Sequence, residues 1–365
     1  MGIVRALCTA VIVCTLVMAA PEHDPPRRIQ IADGIFLFVT APYGSAGLDG
    51  NAIAILSSDG VLVFDSNGTP AAAAAVLKNI RTLTDKPVKF VVNSHWHWDH
   101  WYGTEVYVRA FPDVQILTHE KTRAMMMGPA LEFNRPGLDT QLPGYIASLE
   151  KRLASTGPDA PDAPQRRQVE QELADARFFL DQKRSTRHIF PTLTFSDSVT
   201  LHLGERTIQV LHYDRAVTPG DAFLYLQNEK VVVTGDLLVN PVSFALSCYP
   251  TGWLRTLEKI DALDAAVIVP GHGEPLHDKT LLRTTIQVMR ELLREGRDAK
   301  GRGLDPDQAR EEVLPRLHDA MVTMTGDTPA GNQAFRIYFV DWYLHRVYDE
   351  LNGPLTDAIA PIPVK

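Results

Sequence analysis

Apolar residues first come in the short blocks and alternations of strands and then shift to a helical spacing. Residues 34–40 and 52–56 are strand-like, and Ser57-Ser58-Asp59-Gly60 reads as a hairpin loop into a strand at 61–65. The spacing predicts a helix over about 70–82 and a buried strand at 89–93, rich in β-branched and aromatic residues. A helix start at 101–108 and a strand at 114–118 follow. Strands with helices packed on them define an α/β or α+β fold.

Residues 119–190 change character. Methionines at 125–127 and Pro and Gly residues between 128 and 144 suggest an irregular crossing, and helices are expected at 145–155 and 165–183. The Pro-rich stretch 156–164 reads as a linker between them, so a helical hairpin is expected as an insertion over about 120–190. It would serve as a lid or substrate wall, or as decoration or an oligomer contact. Strands return at 193–195, 199–203, 207–212, 222–226 and 230–233, then a helix at 253–263 and a strand at 266–269. From 281 to 365 the chain is expected to be a helical extension, amphipathic at 279–297 and 334–351. The second apolar face suits core packing first and a homodimer contact second.

The first 20 residues carry one positive charge, then an apolar stretch, then small residues around Val17-Met18-Ala19. This order is expected of a secretory signal peptide (1–20), and its roughly 15 apolar residues fall short of the roughly 20 a spanning helix needs. An exported protein, periplasmic or secreted, with no stable membrane anchor is therefore expected. Of the three cysteines, Cys8 and Cys14 lie in that segment, which leaves Cys248 alone and most simply a packed small residue. A net charge of −8 without basic runs argues against nucleic acid as a partner and leaves a small-molecule substrate.

The strongest chemical signal is His95-Trp96-His97-Trp98-Asp99-His100, which places imidazoles and a carboxylate on a strand-to-helix turn. In an extended segment His95 and His97 point the same way, while Asp99 and His100 fall where the chain bends, so one turn can serve two metal positions. Imidazole with carboxylate suits Zn²⁺ first, then Mn²⁺ or Fe²⁺. Two further candidates close later strands, Asp236 in Thr234-Gly235-Asp236 and His272 in Pro270-Gly271-His272-Gly273. Trp96, Trp98, Trp101 and Tyr102 could wall a substrate or simply pack.

These elements, with Thr218-Pro219-Gly220-Asp221 between them, resemble the metallo-β-lactamase superfamily of hydrolases over about residues 28–280. The resemblance implies a four-layer αββα sandwich with a metal pair at one edge. It assigns His95 and His97 to a first metal, Asp99, His100 and His272 to a second, Asp236 as the bridge, and Asp65 as a partner behind the ligands.

One position departs from that pattern. Val217 stands where the family usually has a histidine ligand of the first metal, and Asp214 where it has a glycine. The second site is therefore expected to bind its ion more tightly, with Asp214 a candidate substitute ligand and His212 a structural residue. Two classes of function stay open. One is an exported zinc-type hydrolase of esters, thioesters, lactones or lactams, with Asp99 or Asp236 orienting the attacking water and taking its proton. The other is a non-catalytic metal- or ligand-binding protein on the same scaffold, motivated by Val217. A redox iron site is a weaker third reading.

Overall fold

The computed structural model describes residues 25–155 and 163–359. The expected signal peptide and most of the Pro-rich linker lie outside the described residues.

The chain opens with β1 (Arg27–Ala32), β2 (Ile35–Val39), β3 (Ala52–Leu56) and β4 (Val61–Phe64), each antiparallel to the one before. After α1 (Pro70–Leu83), β5 (Val88–Val92) joins β4 in parallel, and after α2 (Thr104–Ala110), β6 (Gln115–His119) joins β5 the same way. Four helices then intervene, α3 (Glu120–Met126), α4 (Pro129–Pro136), α5 (Leu142–Ser155) and α6 (Ala163–Ser185), before β7 (Leu193–Phe195) closes a seven-stranded sheet.

The second sheet has five strands: β8 (Ser198–Leu203), β9 (Arg206–Leu211), β10 (Phe223–Leu226), β11 (Val231–Gly235) and, after α7 (Pro250–Asp261), β12 (Val267–Pro270). The tail is α8 (Thr280–Gly301), α9 (Pro306–Val313), α10 (His318–Thr325), α11 (Pro329–Ala334) and α12 (Trp342–Asn352).

Alternation along the strands explains why these sheets stack. In β3, Ile53 and Ile55 face the second sheet, where they meet a core containing Ile208, Val210, Leu224 and Val233. Ala52 and Ala54 face the other way, and their small size lets Ala73, Val76, Leu77 and Ile80 of α1 approach. That helix starts where Thr69 accepts the Ala72 N–H and Pro70 needs no amide partner. On the far side Phe223, Tyr225 and Val232 pack under Trp253 of α7, Met289 of α8 and Leu344 of α12. Helices thus cover both outer faces of a sheet pair, the αββα order.

The expected irregular crossing before residue 145 is helical instead: α3 and α4 are followed by a π-helical turn, Gly137–Gln141. Pro129 sits in the first turn of α4, where the amide it lacks would be unpaired anyway, whereas Pro136 lies inside the helical run, which continues past it as the π-helical turn. Among the described residues no helix is long and apolar enough to cross a membrane.

Candidate metal centre

The centre begins with a strained strand end. Beyond β4 the backbone turns left-handed at Asp65 (φ 57°) and Asn67 (φ 61°), a conformation that costs about 1 kcal/mol or more for such residues. Neighbouring hydrogen bonds hold it there: the Asp65 N–H donates to Val92 O (2.9 Å), the Ser66 N–H to His100 O (2.9 Å), and the Asn67 amide to Gly50 O (2.9 Å).

The turn aims the buried Asp65 carboxylate at the histidine motif. Oδ1 accepts the Ser94 N–H at 2.7 Å, and Oδ2 accepts both the Ser94 hydroxyl and His100 Nδ1 at 2.8 Å. With its proton given to Asp65, Ser94 Oγ is left to accept from His95 Nδ1, also at 2.8 Å. One carboxylate thereby fixes Nδ1 as the donor of two imidazoles, so that Nε2 is the atom each would offer an ion. His95 Nε2 and His100 Nε2 are buried and, among the described residues, have no hydrogen-bond partner.

Asp236 follows β11 and lies between them. Its Oδ2 is 3.6 Å from His95 Nε2 and 3.9 Å from His97 Nδ1, and its Oδ1 is 3.3 Å from His100 Nε2 and 3.5 Å from His272 Nε2. Asp99 Oδ2 completes the second cluster, 3.3 Å from His100 Nε2 and 3.0 Å from His272 Nε2. Ligand atoms 2.0–2.1 Å from a tetrahedral ion stand roughly 3.3 Å apart, so the spacing here fits cation binding at two candidate positions. Two groups of three donors result, His95 with His97 and Asp236, and Asp99 with His100 and His272. Asp236 presents one oxygen to each.

The last ligand loop is tied to the first sheet. Asn51 donates through its side chain to Pro270 O and Gly273 O, both at 2.9 Å, which places His272. Gly271 permits the close approach, since a Cβ there would collide with Asp236 Oδ1. His97 and His272 side chains are 21% and 18% exposed while His95 and His100 are fully buried, so the centre opens on the His97 and His272 side.

Electrostatics favours a cation here. Burial alone would raise Asp236 and Asp99, but His100 and His272 hold both carboxyls well below the usual range. Burial lowers His95, with His100 and His97 adding to the effect, so it stays neutral. Burial also opposes charge on His100, yet Asp236, Asp99 and Asp65 win and push it well up. The carboxylates thus draw protons onto the imidazoles beside them, and a divalent ion binding there would displace those protons.

Val217 is buried among apolar residues that include Phe223, Leu237 and Leu238. Asp214 does not take its place. Arg255 of α7 grips its Oδ2 from Nε at 3.0 Å and Nη2 at 2.5 Å, and its Oδ1 accepts the Arg215 N–H, so it stands outside the cluster. His212 is structural, with Nδ1 donating to Asp221 O at 2.8 Å. The aromatic wall divides: Trp96, Trp101 and Tyr102 are buried packing, and Trp98 alone of the four is half-buried, its ring against Tyr102 and Phe179. A third carboxylate and imidazole group, Asp307, Asp341 and His345, already contains the Arg310 guanidinium, 2.8 Å from Asp307 and 2.5 Å from Asp341.

Two charged neighbours had no signal in the sequence. Asp49 is buried, accepts the Tyr43 hydroxyl at 2.6 Å and the Gly68 N–H, and is pushed up to about 7 by burial. Lys183 of α6 lays its ammonium 3.6 Å from the Trp98 ring centroid and 4.1 Å from that of Tyr102. Burial pulls it down to about 7 against the opposing charges of Asp99 and Asp49.

A sandwich of two sheets with imidazole and carboxylate donors at one edge defines a class, and the match is direct. Residues 46–272 match the family model of the metallo-β-lactamase superfamily, and the chain belongs to it. Among curated proteins it is similar to the linear primary-alkylsulfatase of Pseudomonas sp. (strain ATCC 19151), 25% identical over 297 residues, 74% of this chain and 51% of that protein. The chain thus spans about half the length of that relative. Among solved structures it resembles the metallo-β-lactamase from Pontibacter korlensis, with a TM-score of 0.52, 16% identity, and 73% of this chain and 99% of that one covered. The FIM-1 metallo-β-lactamase of Pseudomonas aeruginosa in its mono-zinc form gives 0.51 and 13%, with 75% and 98% covered. These two likenesses establish the fold.

Proposed function

We propose that the protein is a metal-dependent hydrolase of a small-molecule substrate, using Zn²⁺ at one or both positions. His95, His97 and Asp236 would hold the first ion, and Asp99, His100 and His272 the second, with Asp236 shared. The observation that carries this reading is the set of buried ligand atoms, His95 Nε2, His100 Nε2 and Asp236 Oδ1, without a hydrogen-bond partner among the described residues and facing one another at ligand spacing. Left without an ion, such atoms cost about 1–3 kcal/mol each.

A bound divalent ion supplies a water of lowered pKa and polarises the bond under attack. The chain does the rest. Asp65, through Ser94 and directly, keeps His95 and His100 in the ligating tautomer; Asp99 or Asp236 orients the water and accepts its proton. The open side at His97 and His272 admits the substrate.

A carbonyl substrate (ester, thioester, lactone or lactam) is the first reading. A sulfate ester is the second, favoured by the likeness to an alkylsulfatase. Metal-loaded full-length protein assayed on aryl esters, lactones, a cephalosporin and an alkyl sulfate separates them. Hydrolysis of none by protein shown to hold metal would leave the non-catalytic binding role.

We also propose export to the periplasm or beyond, on the charged, apolar and small-residue order of residues 1–20. Mass spectrometry of protein recovered outside the cytoplasm is expected to show a start near residue 20 or 21, and an intact Met1 would overturn this.

A further inference from the structure

Beside the metal turn the helical segment between β6 and β7 encloses a recess of about 610 Å³, within the roughly 300–1,000 Å³ of small-molecule sites. Its walls are mainly apolar: Trp98 from the metal turn, Phe133 of α4, Leu138 of the π-helical turn, Leu142 and Tyr145 of α5, and Phe179 of α6. Trp98 lies between His97 and Asp99 in the chain, so the residue that walls the recess belongs to the same turn as the candidate ligands.

Two charged residues line it. Glu132 is exposed. Lys183 is half-buried, its ammonium held by the faces of Trp98, Tyr102 and Phe179. Among the described residues that ammonium has neither a hydrogen-bond acceptor nor an ion-pair partner. The carboxylates nearest in charge are committed elsewhere, Asp49 to Tyr43 and Gly68, and Asp99 to His100 and His272. An apolar cavity ending at an unpaired cation beside a hydrolytic centre matches one chemical class of ligand.

We propose that the recess is the binding site for a single-chain anionic amphiphile, whose tail lies against Phe133, Leu142 and Phe179 and whose anionic group pairs with Lys183. The proposal rests on the hydrolase reading only in naming this ligand as substrate, the scissile ester then lying at the Trp98 wall. Binding itself needs no turnover.

The test is isothermal titration of the full chain at pH 6, below the value to which burial pulls Lys183, at equal metal content throughout, with decanoate, decanamide and decyltrimethylammonium. Wild type is expected to bind decanoate about tenfold more tightly than decanamide, the worth of one charge-assisted contact, and the cationic surfactant most weakly. Lys183→Met keeps an apolar stem over Trp98 and is expected to erase that preference while leaving decanamide binding unchanged; Lys183→Arg is expected to restore it. Should Lys183→Met not fold, Lys183→Gln carries the test of charge, and Phe133→Ala is expected to weaken decanoate and decanamide together. Equal binding of decanoate and decanamide to wild type would overturn the proposal. So would a Lys183→Met variant that loses both alike, because Lys183 would then only pin α6 to the turn. Decanoate bound with the expected preference by a protein that hydrolyses no ester would leave the site standing and remove the hydrolase reading.

Discussion

Asp65 reaches two imidazoles at once, and its removal is therefore expected to be felt at both metal positions. Asp65→Ala frees His100 Nδ1 and the Ser94 hydroxyl, so both rings lose their fixed tautomer. Losing such an outer partner weakens metal binding by about 10–100-fold, measurable by chelator competition, and an unchanged affinity would show that packing alone orients the rings. Val217 tests the neighbouring position. The wild type is expected to hold one ion tightly and a second weakly, because the first position must share Asp236 with the second. Val217→His buries an imidazole among apolar side chains, so the metal-free variant is expected to melt below wild type, with zinc restoring the loss and raising the tight stoichiometry towards two. Two tight ions in unmodified protein by elemental analysis would refute this. At this scale the histidine turn was legible because its donors are contiguous in the chain. Asp236 and His272 become a constellation only beside it. Asp214 misled because Arg255, 41 residues further on, decides where its carboxylate points. Lys183 gave no signal, since a lysine four residues after Phe179 is an ordinary helix residue until Trp98 and Tyr102 arrive from another part of the fold.

The helices between β6 and β7 show which patterns survive into structure. Apolar spacing identified α5 and α6, and the pair has its own small core of Ile146, Leu149, Val169, Leu173 and Ala176. The preceding helices were hidden by Pro and Gly residues that read as breaks, although Pro129 opens α4 and the chain stays helical through Pro136 and Gly137. Phe179 docks the pair onto the body: its ring stacks on Tyr43 at 4.8 Å, lies 5.4 Å from Trp98, and fills the space a side chain at residue 47 would need. Phe179→Ala is expected to cost about 3 kcal/mol by urea unfolding, with faster proteolysis within α5 and α6 and unchanged metal content, because the hairpin core can undock as a unit. Loss of metal in this variant would mean that the hairpin supports the centre itself.

The whole molecule is two sheets clasped at several points, and one clasp is sensitive to protons. His119 ends β6 in the first sheet, and His212 follows β9 in the second, with ring centroids 4.1 Å apart. His119 Nδ1 accepts the Lys121 N–H at 3.2 Å and Nε2 donates to Ser196 O at 2.7 Å, so only the neutral ring satisfies both. Burial, with His212 adding to it, lowers His119 to about 4, against about 6.5 in an unfolded chain. The unfolded state therefore takes up a proton that the folded state refuses, and stability is lost as pH falls from about 6.5 to about 4, with no further loss below. Asp49 and Asp221 act in the opposite sense. Burial raises both to about 7, so the folded state gains from their protonation as pH falls from about 7 towards their ordinary values. The wild-type profile mixes these signs, and the informative quantity is a difference. His119→Gln removes the titration while offering an amide to Ser196 O, and its urea midpoint is expected to fall less than wild type between pH 7 and pH 4.5. Parallel profiles for the two proteins would show that this junction tolerates the charged ring, and that acid acts on the fold through its carboxylates.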